Sequence, residues 1–323
     1  GWQNVKNVPE SEYLLALSKI KQQLMTGTES DVVNALEQLK SDFPNVAGAE
    51  IQAYLDAERL YSDGNWYKAA TAYKKFIDAW PVSILQPAAM ERFYSIATAY
   101  LQGQKRSFLK IIRLPAYDTG VELMRDLADR AGDSPLCLRA LTTLAESQEK
   151  KGMLVDAYYT WEEIANRWPT GKIRQNAVLR MAQTLHASYD GPQYDAAVLD
   201  SAQSYFEDYQ MQYPNDASRL KVAETLAFIT EQLAYKQYEM GFYYERTGTM
   251  SAAKQYYEKV IKQWPDSKAA QMAQARLKSD AAPPVKMNLR RRTVNGTTKF
   301  LDSWFGIEPL YNRMKKKEND TQD

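Results

Sequence analysis

Five aromatic–proline pairs, Phe43-Pro44, Trp80-Pro81, Trp168-Pro169, Tyr213-Pro214 and Trp264-Pro265, each close a charged, helix-forming stretch, and the same residue types recur at the same distances before each pair. Counted from a turn residue at zero, a small or branched residue stands at +5, apolar residues at +9 and +12, the aromatic at +16 and proline at +17. Three copies match throughout: Gly64, Ala69, Tyr73, Phe76, Trp80, Pro81; Gly152, Ala157, Trp161, Ile164, Trp168, Pro169; and Gly248, Ala253, Tyr257, Val260, Trp264, Pro265. Two are degenerate but in register: Gly27, Val32, Leu36, Leu39, Phe43, Pro44, and Ala197, Ala202, Phe206, Tyr209, Tyr213, Pro214. A sixth, weaker copy places Pro115 at zero, followed by Gly120, Met124, Leu127, Ala131 and, in place of the terminal proline, Gly132.

Each position has a mechanical reason. Glycine at zero permits the positive φ that ends one helix of a hairpin, and a small residue at +5 lets the two helices approach. Spacings of three and four residues place +5, +9, +12 and +16 on one helical face. Proline at +17 cannot donate into the helix and biases the residue before it away from α geometry, so the second helix stops there. A single hairpin cannot bury such a stripe alone and must stack on its neighbours.

The expected fold is therefore all-α, a right-handed solenoid of about six tetratricopeptide-like hairpins. First helices are expected over Ile51 to Asp63, Pro87 to Gly103, Pro135 to Gly152 and Lys172 to Tyr189. Successive terminators lie 37, 51, 37, 45 and 51 residues apart, longer than the ~34 of a minimal unit, so the array carries insertions. One runs from Gln104 to Pro115 and another from Ser188 to Tyr194. Between Ala217 and Thr247 there is no proline, and Gly241 is the only glycine. One long helix of roughly 45 Å is expected there, with Leu220, Ala223, Leu226, Leu233, Tyr238 and Tyr244 as contacts, clasping the fifth and sixth hairpins.

Composition argues against catalysis. One histidine, His186, and one cysteine, Cys137, leave no metal-binding His pair, no thiolate cluster and no intrachain disulfide. His186 reads as an ordinary helix-surface or interhelical residue and Cys137 as a small buried hydrophobe. The pairs Glu162-Glu163 and Asp126/Asp129 read as solvated helix faces. Thr170-Gly171-Lys172 lacks the preceding glycine of a phosphate loop. No enzyme activity, cofactor or metal is therefore expected, and a net charge of +1 argues against a nucleic-acid partner. No stretch approaches the ~20 apolar residues of a spanning helix.

The segment from Tyr194 through Leu277 resembles the BamD family of outer-membrane assembly lipoproteins. The residues that carry the resemblance are Ala202-Gln203-Ser204-Tyr205-Phe206-Glu207-Asp208-Tyr209, Tyr213-Pro214-Asn215-Asp216, the long helix ending Gly241-Phe242-Tyr243-Tyr244-Glu245-Arg246-Thr247-Gly248, Ala252-Ala253-Lys254-Gln255-Tyr256-Tyr257-Glu258 and Trp264-Pro265-Asp266-Ser267. The likeness extends back to Glu50 but covers neither the first 49 residues nor the tail, and the Gln104 to Pro115 insertion departs from it. It implies a non-enzymatic envelope scaffold on the periplasmic face of the outer membrane, lipid-anchored through a residue before Gly1. The implied partners are a β-barrel insertase, docked by the terminal repeats, and unfolded barrel substrates, received by the amino-terminal repeats. The alternative is a generic tetratricopeptide adaptor serving another envelope or cytoplasmic complex.

Three domains are expected: an extension over 1–12, the solenoid over 13–279 and a basic tail over 280–323. Two segments are candidate partner-binding elements. In the insertion, the bases Lys105, Arg106, Lys110 and Arg113 interleave with Phe108, Leu109, Ile111, Ile112 and Leu114, a pattern open to intramolecular packing or to contact with a partner or membrane surface. In the tail, Arg290 to Arg292 and Lys315 to Lys317 bracket Phe300, Leu301, Trp304, Phe305, Ile307, Leu310 and Tyr311. That stretch is either a disordered basic tail or a short helix, Thr298 to Phe305, docking on the body, a partner or a membrane. Helical tyrosines 54, 61, 94, 100, 158 and 159 are expected between helices or, for some, on the groove.

Overall fold

The computed structural model describes residues 12–20, 29–44, 48–104, 106–108, 112–114 and 116–278, in two compact units, 1–147 and 148–323. The first holds helical residues 12–20 (α1), Glu29–Asp42 (α2), Ala49–Ser62 (α3), Trp66–Ala79 (α4) and Gln86–Leu101 (α5). An antiparallel pair of strands follows, Arg106–Phe108 (β1) and Ile112–Leu114 (β2), then Tyr117–Ala131 (α6) and most of Pro135–Lys150 (α7). The second takes the last turn of α7, then Leu154–Arg167 (α8), Gly171–Ala187 (α9), Ala197–Gln212 (α10), Pro214–Arg219 (α11), Val222–Arg246 (α12), Met250–Gln263 (α13) and Lys268–Lys278 (α14). The all-α class holds. Consecutive helices pack as hairpins, and strand structure among the described residues is confined to β1 and β2.

The repeat register is visible residue by residue. Helices α2, α4, α6, α8 and α13 begin two residues after their zero positions. The zero glycines Gly64, Gly152 and Gly248 take φ of 72°, 74° and 85°, the left-handed region that glycine enters without a Cβ clash. Positions +5, +9 and +12 are buried in all six copies. Gly120 at +5 stands so close to α5 that a Cβ there would lie 2.8 Å from the Leu101 nitrogen, which is why this copy carries no alanine.

The aromatic at +16 is where each second helix ends. Trp80, Trp168, Tyr213 and Trp264 leave the helix in one shared conformation, φ between −118° and −134° and ψ between 59° and 79°. Their backbone N–H groups still donate to the carbonyls of Phe76, Ile164, Tyr209 and Val260 at 2.9–3.0 Å. The last turn is thus closed by the residue that the following proline has pushed out of α geometry.

The Ala197 copy departs from this register. Its helix α10 begins at the zero position itself, where the Asp195 carboxylate accepts a hydrogen bond from the Ala197 N–H at 3.1 Å. The loop before it is tied to α12, because Lys236 donates to the carbonyls of Pro192 and Tyr194.

The long helix differs from expectation in two respects. It is broken: Lys221, at φ 57°, is the one non-glycine residue with positive φ among the described residues, and it separates α11 from α12. The expected face is met in part: Leu226, Leu233, Tyr238 and Tyr244 pack into the cores, but the first two expected contacts do not. Leu220 and Ala223 are exposed, whereas Val222, Ile229, Leu233, Ala234, Tyr235 and Tyr238 are buried. The cause is geometric. Ala217 and Val222 both enter one core, yet five residues along a continuous helix would turn them about 140° apart. The break lets both face inward.

The clasp itself is present. Val222, Ile229 and Leu233 pack with Leu199, Ala202, Phe206 and Tyr209 of α10, while Ala234, Tyr235 and Tyr238 pack with α13 and with Ala269, Ala270 and Ala273 of α14. Helix α14, which no aromatic–proline pair marks, is fastened at its start by Glu231, whose carboxylate accepts from the N–H groups of Lys268 and Ala269 at 3.0 and 2.9 Å.

Two outcomes follow for stability measured by thermal or urea unfolding. Ala157→Leu and Ala253→Leu should each lower stability by ~1–3 kcal/mol, because neither site has room for three more carbons. Lys221→Gly should raise it by up to ~1 kcal/mol, since glycine relieves the left-handed strain at a small entropic cost.

Candidate protein-interaction surface

The insertion chosen from the sequence forms β1 and β2. Arg106 pairs with Leu114, Ser107 with Arg113 and Phe108 with Ile112. Four of the chosen residues, Arg106, Phe108, Ile112 and Arg113, are therefore brought together on two adjacent strands, while Lys110 lies outside the described residues. The sequence reading gave this segment no secondary structure. Strands of three residues are too short for an alternation to register. Fifteen residues, 102–116, join α5 to α6, where three, 63–65, join α3 to α4. Even so, α5 and α6 pack as a close pair, so the hairpin is an addition to a complete repeat.

Trp304, Phe305 and Leu310, the chosen tail residues, lie outside the described residues, as does the expected docking helix.

A second set of residues, which the sequence reading missed, ties three of the hairpins to the next first helix. In the first unit, Arg92 of α5 donates to Glu58 of α3 at 3.1 Å and lies over the Tyr61 ring at 4.9 Å. Glu58 is fully buried, with Tyr54 and Tyr73 beside it. Burial first, and then the Glu58 carboxylate, push both phenols well above their ordinary value. In the second unit, Glu149 accepts from Trp161 Nε1 at 2.8 Å, from Thr184 at 3.1 Å and from Arg180 of α9. Near the end of the described residues, Glu245 accepts from Tyr257 at 2.6 Å and from Arg276 of α14 at 3.4 Å, and Arg276 lies over Phe242 at 4.9 Å.

These three sets share one register. Arg92, Arg180 and Arg276 all stand at +28 from Gly64, Gly152 and Gly248, and Tyr73, Trp161 and Tyr257 all stand at +9. The acid is at −6 in the first copy and at −3 in the other two. Where the acid takes one of these positions, an aromatic takes the other in two copies: Tyr61 with Glu58, and Phe242 with Glu245. Each arginine thus meets a carboxylate and an aromatic ring. In the middle copy the ring is Trp161 at 5.3 Å. Between α5 and α7, Arg139 pairs with Glu91 and lies over Tyr94 at 4.4 Å, and the Tyr94 hydroxyl meets Thr143 at 2.8 Å.

The other candidate groups are structural. His186 is interhelical: its Nε2 meets the Gln232 side-chain oxygen at 2.8 Å and its ring packs edge-on against Phe206 and Phe228. Burial lowers its pKa below the ordinary 6.5. The acidic pairs are not simply solvated faces. Asp126 pairs with Lys74 and Arg130, Glu163 pairs with Arg167 at 2.8 Å, and Glu162 accepts from Tyr158. Cys137 is buried. Of the six tyrosines expected on helices, Tyr54 and Tyr100 are in the core, Tyr61, Tyr94 and Tyr158 are half-buried, and Tyr159 is exposed. Among the described residues no cluster of three His, Cys, Asp or Glu could hold a metal, and no helix is long and apolar enough to cross a membrane.

The repeated hairpin, its proline-terminated second helix and its alanine contact define a tetratricopeptide-like repeat protein. The tetratricopeptide repeat family matches residues 237–267, the end of α12 through the turn after α13. No curated protein matches the chain.

Two measurements test the polar ties. Arg92→Ala leaves Glu58 buried without its cation and should cost ~3–5 kcal/mol, whereas Arg276→Ala frees a partly exposed carboxylate and should cost ~1 kcal/mol or less. Because His186 is the only histidine and its folded pKa is depressed, the unfolded chain binds its proton first. Its contribution is complete above pH ~6.5 and is lost as pH falls from there through the folded pKa. Unfolding free energies between pH 7 and 5 should show this decline, and His186→Gln should abolish it.

Proposed function

We propose that the chain is a non-enzymatic protein-binding scaffold of the bacterial cell envelope, of the BamD type, which helps assemble outer-membrane β-barrel proteins. Tetratricopeptide-like repeats support the coarser part of this reading, because a stacked array presents an extended surface on which a partner polypeptide can lie. One observation carries the finer part. Helix α12, the long helix before the last hairpin within the segment that carries the resemblance, shares one core with α10 and another with α13 and α14. In this proposal the protein is held by a lipid anchor at the periplasmic face of the outer membrane and partners a β-barrel insertase and its unfolded substrates. A generic adaptor in another complex is the second reading, favoured by the basic strand insertion between α5 and α6, which the resemblance does not include.

Affinity purification of the tagged chain from crosslinked native membranes separates the two readings. Recovery of a β-barrel insertase in near-stoichiometric amount, with the chain in the outer-membrane fraction, is the expected result. Stable recovery in another complex without any insertase would replace the envelope reading with the adaptor.

A further inference from the structure

We propose that the β1–β2 hairpin binds an extended polypeptide segment, acidic and apolar in alternation, by adding it as a third strand. The inference concerns this insertion alone and does not rest on the envelope reading.

The sheet is open among the described residues. Its order is β1–β2, with no third strand among the described residues, so each strand keeps an outer row of backbone N–H and C=O groups that the ladder does not use. Among the described residues the close packing of each strand is with the other, and no helix takes a comparable place beside them. A two-stranded ribbon of this kind is marginal in water and gains stability from a third strand.

The hairpin is also basic. The two strands carry two bases, Arg106 and Arg113, and no acid. A second copy of the same hairpin would set bases against bases, and like charges opposed across strands are destabilising. A segment bearing carboxylates meets the opposite condition. Phe108 and Ile112, directly paired, are residue types that favour apolar, β-branched neighbours across a ladder. A lipid surface suits the same composition, but the open strand edges argue against it, because backbone groups without partners are costly in a bilayer.

The hairpin interrupts a turn that three residues suffice to make elsewhere, while the pair it joins remains closely packed. Loop-closure entropy makes such an insertion inexpensive, so it can carry recognition without weakening the repeat.

The test uses the full chain and a fluorescein-labelled nine-residue peptide alternating glutamate with valine, read by fluorescence anisotropy. Binding that weakens with added salt is expected, together with at least a tenfold loss when lysine replaces the peptide's glutamates or when prolines interrupt it. Arg106→Glu with Arg113→Glu should weaken binding at least tenfold. A variant in which residues 104–115 are replaced by a three-residue turn should lose it while keeping its helical circular dichroism. Equal binding by that variant, absence of binding to the parent chain, or equal binding of the proline-interrupted peptide would overturn the proposal. Hairpin-dependent association with anionic phospholipid vesicles and none with the peptide would also overturn it, in favour of a membrane contact.

Discussion

The structure depends on one constraint: a helical hairpin whose second helix carries apolar residues at +5, +9 and +12 cannot cover that stripe by itself. The stripe is covered by its own first helix on one side and by the first helix of the next repeat on the other. The second unit shows this directly, where Leu199, Ala202, Phe206 and Tyr209 of α10 share a core with Leu179 and Ala182 of α9 and with Val222, Ile229 and Leu233 of α12. Burial of this kind is non-directional, so it brings helices together without fixing how far one slides along another. In three of the repeats an arginine at +28 supplies the direction. Each reaches back from the incoming first helix to a carboxylate and a ring, and a guanidinium fits both at once.

The three ties differ in burial, and this ranks their energetic weight. Glu58 and Arg92 have side chains 0% and 17% exposed, Glu149 and Arg180 7% and 29%, Glu245 and Arg276 24% and 42%. A carboxylate withdrawn from water is costly unless its partner stays in place, so the first tie enforces its geometry most strictly and the last enforces it least. Helix α14 adds mostly alanines to its core, and two of its attachments, Glu231 at its start and Arg276 near its end, are polar. Small apolar contacts and these polar attachments together hold it on α12 and α13.

Much of this was legible in the sequence because it is local. Glycine at zero, alanine at +5 and proline at +17 act on the residues beside them, so the hairpins and their ends could be read directly. The arginine at +28 was equally periodic. Its pairing is hidden because its acid stands at −6 in one copy and at −3 in two, and a pair is recognised in sequence only when both members keep their places. The break at Lys221 was not legible: neither glycine nor proline marks it, and it arises because Ala217 and Val222 must face the same core. The insertion was recognisable as basic and apolar, and Arg106, Phe108, Ile112 and Arg113 do fall on neighbouring strands. Its strands are too brief for their period to show.

The central claim is that each hairpin is completed by the first helix that follows it. Hydrogen exchange on a chain ended after Asp266, which lacks α14, tests it most directly. The account predicts that amide protection falls in α13 and in the later half of α12, from Ala234 onward, while α9, α10 and the earlier half of α12 keep the protection of the parent chain. Unchanged protection in α13, or a uniform loss across α9 to α13, would contradict it.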